Sequence, residues 1–376
     1  MCWEIFLSVV ELSKNEPRLS DAVPATMRAA VYRGEGKIGV ESVETPQAGC
    51  GEIVVRVETC GICHTDLKKI EYNLLTPPRI YGHETAGVVA AVGEGVQKYG
   101  VGDRVVVFHH IPCGDCFYCL RRLYAQCPMY KRVGVTAGFE PAGGGFAQYV
   151  RLMDWIVDRG VEKIPDGVSF DRACWVEPVN TCLKAVDMLA LRSGDVVAIL
   201  GQGPIGLIFT MLVRRAGAQV LATDMIEHRR AISEDLGGKA FDPKGREFEL
   251  RLEEATDGRG ADAVIVATDA KGLVDQALRI SRPGARILLF AQTSSGTRAD
   301  VSATDICVGE RILLGSYSAD VDLQAQSAWL VFSGELPLER LISDRLPLDE
   351  ISTGIDIACH PGETSLKVVI HPQECR

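Results

Sequence analysis

The sequence has no apolar run of 18 residues, the length a helix needs to cross a bilayer. Its opening, MCWEIFLSVVELSKNEPRLSDAVPAT, lacks the order of a secretory leader: the apolar patch is short, and the nearby basic residues come after it. It has no basic block either. Forty Lys plus Arg against fifty Asp plus Glu leave a formal charge of −10, a poor balance for binding nucleic acid. There is no internal repeat and no low-complexity tract. With 47% hydrophobic and 24% charged residues, disorder, a collagen-like chain and a disulfide miniprotein are excluded. What remains is a globular chain of 376 residues, long enough for about two domains. Its thirteen cysteines read as thiols or metal ligands in a reducing compartment. The expected location is cytoplasmic, with neither membrane nor nucleic acid as a partner.

Residues 1–26 look unlike the rest of the chain and read as an N-terminal extension, and MRAAVYRG from Met27 reads as a first strand. Residues 27–160 hold short β-branched runs punctuated by Gly and Pro: EIVVRVE (52–58), TAGVVAAVG (85–93) and DRVVVF (103–108). That spacing predicts an all-β, barrel-like domain. Over 195–317 the pattern changes to apolar strands alternating with helical stretches, which predicts a parallel sheet covered by helices. The stretch 320–336 reads as an amphipathic helix belonging to the core, and SLKVVI (365–370) as a last strand. The fold class is therefore α/β. The expected divisions are 27–179, 180–318 and a return to the first domain over 319–376.

DVVAILGQGPIG places Gly201, Gly203 and Gly206 between a strand and a helix. The first glycine permits the turn, the second lets backbone approach a pyrophosphate, and the third lets helix and strand pack closely. Pro204 and Ile205 open the helix, where a missing N–H costs nothing. Asp224 follows Gly206 by 18 residues at the end of the next strand, placed to accept from an adenosine ribose and to repel a 2′-phosphate. NAD is thus expected over NADP. Arg229 is either a contact to the ribose or phosphate region or a solvated helix charge.

Cys113, Cys116, Cys119 and Cys127 form C-x2-C-x2-C-x7-C. Four thiolates in one loop can surround one tetrahedral zinc with no position left for substrate. Buried thiols, disulfides and an iron–sulfur cluster are the alternatives, and zinc is the one that agrees with the rest of the chain.

GICHTD (61–66) is followed by GHE (82–84), with Cys63 and His83 twenty residues apart. Together with VGDRV, the four-cysteine loop and GQGPIG, in that order, these motifs resemble the zinc-dependent medium-chain dehydrogenase/reductase superfamily over roughly residues 27–370. GHE and WVEP (175–178) resemble its sorbitol and threonine dehydrogenase branch, since cysteine-richer alcohol dehydrogenases have Cys where Glu177 stands. The resemblance implies a GroES-like β-barrel catalytic domain and a doubly wound Rossmann domain with the active site between them. It implies two zinc ions, one catalytic and one structural, and NAD. Cys63 and His83 would hold the catalytic zinc, with Glu84 as third ligand or close alternate and Glu177 binding directly or through water. Thr65 would manage the substrate's proton, and Asp66 would support a ligand histidine. Many relatives have a relay histidine five residues past the cysteine; here Lys68 stands there, as a relay group or a solvated surface charge. His64 would face cofactor phosphate, and Lys367 the pyrophosphate. Homodimers or homotetramers are implied, with ERILLGSY (310–317) as an edge strand that could pair between copies.

Within that reading, a secondary alcohol on a polyol, sugar or hydroxy compound would pass hydride to NAD; threonine or a simple alcohol is the alternative substrate, and a non-catalytic NAD-binding module the alternative from another class. Polarity favours the polyhydroxylated substrate, because carboxylates near the metal can accept from extra hydroxyls. Pro178 is expected to push Glu177 out of helical geometry. His109 and His110 match no family ligand and are expected in packing or at the surface, and Cys60 is expected as a buried thiol.

Overall fold

The computed structural model describes residues 23–293, 296–299 and 301–374. Most of the expected extension, and with it Cys2, lies outside the described residues, as does Cys375. Strand β1 (Thr26–Gly34) pairs antiparallel with β2 (Lys37–Glu44). A second sheet curls through β3 (Ile53–Gly61), β4 (Glu84–Val92), β5 (Arg104–Val107), β6 (Val135–Thr136), β7 (Tyr149–Leu152) and β8 (Val161–Lys163). The chain returns to it at the end with β15 (Ile342–Pro347) and β16 (Lys367–His371). Its main path runs β15-β16-β3-β4-β5-β8, with β7 also pairing β3 and β6. All these pairings are antiparallel except β15 with β16. This is the expected GroES-like domain.

Between these halves lies a six-stranded parallel sheet. Its strands are β9 (Val196–Leu200), β10 (Gln219–Thr223), β11 (Lys239–Phe241), β12 (Ala261–Val266), β13 (Ser281–Leu289) and β14 (Ile312–Gly315). The order is β11-β10-β9-β12-β13-β14, so chain addition reverses direction between β9 and β12. In open α/β sheets the crevice at the strand ends beside such a reversal is where ligands bind. The glycine turn leaves β9 at that place.

Side-chain alternation explains the layers. Val197 and Ile199 of β9 enter a core shared with helices Val176–Leu189 and Pro204–Arg215, while Val196, Ala198 and Leu200 face a second core on the other side. A parallel strand covered on both faces reads as a continuous apolar run, which is why VVAIL has no polar interruption. The shared core also takes Val106, Phe108 and Val369 from the barrel, so the two domains meet through apolar packing. A separate core fills the barrel.

Two boundaries differ from expectation. Helix Val176–Leu189 is continuous across the division expected at 179/180, because its buried side runs without a break into the shared core. The helix expected over 320–336 is shorter, Gln324–Phe332, and a 3-10 turn precedes it at Val321–Leu323. Ala328, Leu330 and Val331 enter the shared core, as an amphipathic core helix should. Strand β14 ends the parallel sheet with one neighbour, β13, and is the edge strand expected of ERILLGSY.

Candidate active site and metal clusters

Cys63 lies two residues beyond the end of β3 and caps helix His64–Glu71 in extended conformation. His83 immediately precedes β4, and Glu84 is the first residue of that strand. Because β3 and β4 run antiparallel with Gly61 opposite Glu84, these three side chains converge. One ligand atom from each of Cys63, His83 and Glu84 lies within 4.8 Å of the others.

Asp66, fully buried, accepts from His83 Nδ1 at 3.0 Å. That bond fixes the ring and leaves Nε2 as the nitrogen for a metal. Burial alone would lower the His83 imidazole, but the charges of Asp66 and Cys63 hold it well above its ordinary value. In Asp66 itself, burial acts to raise the carboxyl, and the His83 partner outweighs it and lowers it.

Glu177 is buried near this cluster, and burial pushes its carboxyl up to about 7, with Glu84 adding to the rise. It is not forced out of the helix. It is the second residue of Val176–Leu189, and Pro178 is tolerated as the third because first-turn N–H groups have no intrahelical acceptor.

Lys367 corrects another expectation. It lines the cleft, but its buried ammonium is ion-paired with Glu84 instead of being free for a pyrophosphate. Its Nζ also lies 5.5 Å from the ring centroid of the buried Trp175. Gly61 makes this pair possible. A Cβ there would collide with Glu84 Oε2 and come 2.8 Å from Lys367 Cε, so a larger residue would have to displace the pair.

The cleft holding these groups has a volume of about 720 Å³ and extends from the cluster to the glycine turn. Gly206 must be glycine: a Cβ would collide with the Gly201 carbonyl oxygen. Gly203 is different. The nearest atom to a Cβ there is Arg229 Nη1 at 3.8 Å, so the protein itself leaves the space that a pyrophosphate against backbone requires. Pro204 and Ile205 line the same end of the cleft. Asp224 accepts from the Gln202 N–H at 2.7 Å and the Ile226 N–H at 2.9 Å, which lock its carboxylate at the end of β10. Arg229 donates from Nε and Nη2 to the Ser365 carbonyl at 3.2 and 2.9 Å; it is anchored against the returning segment and is no free surface charge.

Thr65 lines the cleft beside Cys63, as does His64. Lys68 is buried, and Nζ meets Asp269 Oδ2 across the cleft at 3.3 Å. It is therefore no solvated surface charge. His109 and His110 also line the cleft, contrary to expectation. Their rings continue a column: His83 to His109 is 4.8 Å between centroids, His109 to His110 4.0 Å, and His110 to Tyr130 5.0 Å. Burial lowers both imidazoles, His110 to about 3. The run FHHIP gave a hint in its paired histidines, but their direction depends on how β5 ends. Asp269 gave no motif to find. Cys60 is buried beside Thr85, where burial raises its thiol, and stays outside the cluster.

Away from the cleft, the Sγ atoms of Cys113, Cys116, Cys119 and Cys127 come together. Three of their separations are 3.5, 3.6 and 3.8 Å. A disulfide needs about 2.05 Å, whereas four sulfurs each about 2.3 Å from one tetrahedral zinc stand roughly 3.8 Å apart. Backbone N–H groups of Cys113 and Gly114 point at Cys127 and Cys119 Sγ, both at 3.4 Å, as they do toward thiolates. The donor set fits a closed zinc site.

The chain matches known proteins in sequence and fold. Residues 49–166 match the alcohol dehydrogenase GroES-like domain, and residues 204–331 match the zinc-binding dehydrogenase domain. An alcohol dehydrogenase of Geobacillus stearothermophilus is 32% identical over 272 residues, 70% of this chain and 77% of that protein. The chain belongs to the zinc-dependent medium-chain dehydrogenase/reductase family. Within this family, a sorbitol dehydrogenase of Bacillus subtilis is 26% identical over 361 residues, 94% of this chain and 99% of the relative. The crystal structure of a protein described as a zinc-binding dehydrogenase, from Sinorhizobium meliloti 1021 and bound to NADP, superposes with a TM-score of 0.82. It is 29% identical, covering 93% of this chain and all of that one. As a family member the chain is a dehydrogenase that uses zinc and a nicotinamide cofactor. Among the described residues no helix is long and apolar enough to cross a membrane.

Proposed function

We propose that this enzyme oxidises a secondary alcohol on a polyol, sugar or related hydroxy compound to the ketone, with NAD as hydride acceptor and two zinc ions per chain. The observation that carries the reading is a single cleft with a Cys–His–Glu cluster at one end and an open glycine turn at the other. Sorbitol, butanediol and erythritol/threitol dehydrogenases among the relatives support the substrate class.

When bound, zinc supplies Lewis acidity toward the alcohol oxygen, and the nicotinamide supplies the acceptor for the hydride. The residues do the rest. Cys63, His83 and Glu84 would hold the catalytic ion, with Glu177 beside them as a carboxylate able to exchange with water or substrate. Asp66 keeps the His83 tautomer. Lys367 balances Glu84, so the cluster does not carry an uncompensated carboxylate. Thr65 takes the substrate hydroxyl's proton and releases it to solvent in the cleft. Lys68, clasped by Asp269, joins the two walls of the cleft where the cofactor ribose would lie. Gly201, Gly203 and Gly206 admit the pyrophosphate, Arg229 offers it positive charge, and the fixed Asp224 carboxylate favours NAD over NADP. Cys113, Cys116, Cys119 and Cys127 would hold the structural ion. The edge strand β14 would pair with a second copy in a homodimer or homotetramer.

The test is growth of NADH absorbance with the zinc-loaded chain, NAD and a panel of polyols, sugars, threonine and simple alcohols. Turnover is expected with a polyhydroxylated member; no turnover across the panel overturns the reading.

A further inference from the structure

On the dehydrogenase reading above, one wall of the cleft traces back to the four-cysteine lobe. Residues 316–318 leave the edge strand β14 and line the cleft. Because the strands are parallel, they leave at the same end of the sheet as the glycine turn after β9, where open α/β sheets receive their ligands. Ser316 is buried there, and among the described residues its hydroxyl has no hydrogen-bond partner. A buried hydroxyl left open on a cleft wall is a place for a ligand's polar group. Ser318 has a φ of 63°, in the left-handed region that a serine adopts rarely and only where its surroundings hold it.

The hold comes from two sides. Helix Val176–Leu189, which carries Glu177 in its first turn, supplies Lys184 and Asn180. Lys184 Nζ donates to the carbonyls of Tyr317 and Ser318 at 2.9 and 3.3 Å. The fully buried Asn180 donates to the Asp320 carbonyl at 3.0 Å and accepts from the Asp320 N–H at 2.7 Å. On the other side, Tyr130 packs in the small core of the lobe with Cys119, Ala125 and Cys127. Its hydroxyl lies 2.8 Å from Ser318 Oγ and 3.0 Å from the Ala319 carbonyl oxygen. A phenol has one proton to give and a carbonyl only accepts, so both bonds form together when Tyr130 donates to Ala319 and accepts from Ser318. The Tyr130 ring meanwhile stacks on His110, which lines the cleft. Farther along, Arg122 and Tyr124 of the lobe donate to Asp322 at 2.8 and 2.9 Å.

We propose that Tyr130 is a positioning residue: from the four-cysteine lobe it fixes residues 316–318 in the conformation that receives the nicotinamide end of the cofactor. The nicotinamide end is the one concerned, because the ring column from His83 to Tyr130 puts this wall at the metal-cluster end of the cleft, where hydride is exchanged. The four cysteines thereby set the anchor from which Tyr130 reaches the wall.

Fluorescence titration of the zinc-loaded full chain with NADH, in the absence of alcohol, tests this. Tyr130→Phe removes one oxygen and keeps the ring, and the Kd for NADH should rise about fivefold. Ser318→Gly and Ser318→Ala both remove the hydroxyl, but only glycine takes the left-handed conformation without strain. Ser318→Ala should therefore bind NADH about fivefold more weakly than Ser318→Gly. Zinc content and melting temperature show that each variant is folded and loaded. A Tyr130 that served stability alone would lower the melting temperature and leave the Kd where it was. That outcome, or equal Kd values for the two Ser318 variants, overturns the proposal and leaves the dehydrogenase reading intact. Should Tyr130→Phe fail to fold, the two Ser318 variants decide. If the unaltered chain binds no NADH, the dehydrogenase reading fails and the positioning role fails with it.

Discussion

The four-cysteine loop and the cleft cluster gather metal-ligating side chains in opposite ways. The loop takes all four donors from residues 113–127, uses sulfur alone and closes around its centre. The cleft cluster takes Cys63 from a helix cap, His83 and Glu84 from the start of β4, and keeps Glu177 nearby on a different helix. It mixes thiolate, imidazole and carboxylate, and it brings its own cation, Lys367. A closed all-sulfur shell serves a structural ion, whereas catalysis needs about three protein ligands and an open position. On the proposed reading, the difference would let one chain tune the same metal for stability in one place and for chemistry in another.

The largest expected effect separates the two directly. Cys63→Ala should lower kcat at least roughly a thousandfold while leaving the fold and the four-cysteine zinc in place. Cys127→Ser should do the reverse: melting falls by on the order of 5 °C or more, and kcat per folded molecule stays within about twofold. Zinc analysis beside circular-dichroism melts checks both, and a Cys63→Ala protein that melts early and keeps its turnover would break the comparison.

Asp66→Ala sharpens it. Only the cleft cluster relies on a hydrogen-bonded carboxylate to orient a ligand, so this change should cost about 10–100-fold in zinc affinity at the cleft or in activity. Competition with a chelator measures the affinity, and the four-cysteine ion should be retained.

The smallest effect is expected where charge joins elements with no metal donor set. Asp171 accepts from Thr59 at 3.0 Å, His371 at 2.8 Å and Arg345 at 2.6 Å, tying β3, β15 and β16 together. Burial alone would raise its carboxyl, but His371, Arg345 and Thr59 hold it at about 2. Its folded value is depressed below 3.8, so its contribution is present above about pH 4 and is lost as pH falls toward 2. His371 is raised above 6.5, so its share is present below that value and is lost as pH rises through the folded value. Asp171→Asn should therefore cost most between about pH 4 and 6.5, by roughly 1 kcal/mol after solvent screening. Denaturant melts across pH measure this, with the zinc content unchanged.

Legibility followed the same contrast. C-x2-C-x2-C-x7-C names its centre because all its donors share one loop. The glycine turn was equally plain, since strand, glycines, helix and acid are consecutive. Harder to read were Lys367, whose partner Glu84 lies far away in the chain, and Lys68, whose partner Asp269 lies in the other domain. His109 and His110 read as packing because their path into the cleft depends on the direction in which β5 releases the chain. The division expected at 179/180 falls inside one helix, where composition does not change.

The sequence by itself determined the α/β class, the two kinds of sheet and the metal-ligating residue types, because side-chain periodicity and motif spacing act over short stretches of chain. Tertiary structure alone decided which charges meet: Glu84 with Lys367, and Lys68 with Asp269. Ion pairing depends on distance in space, and packing two domains around one cleft sets those distances.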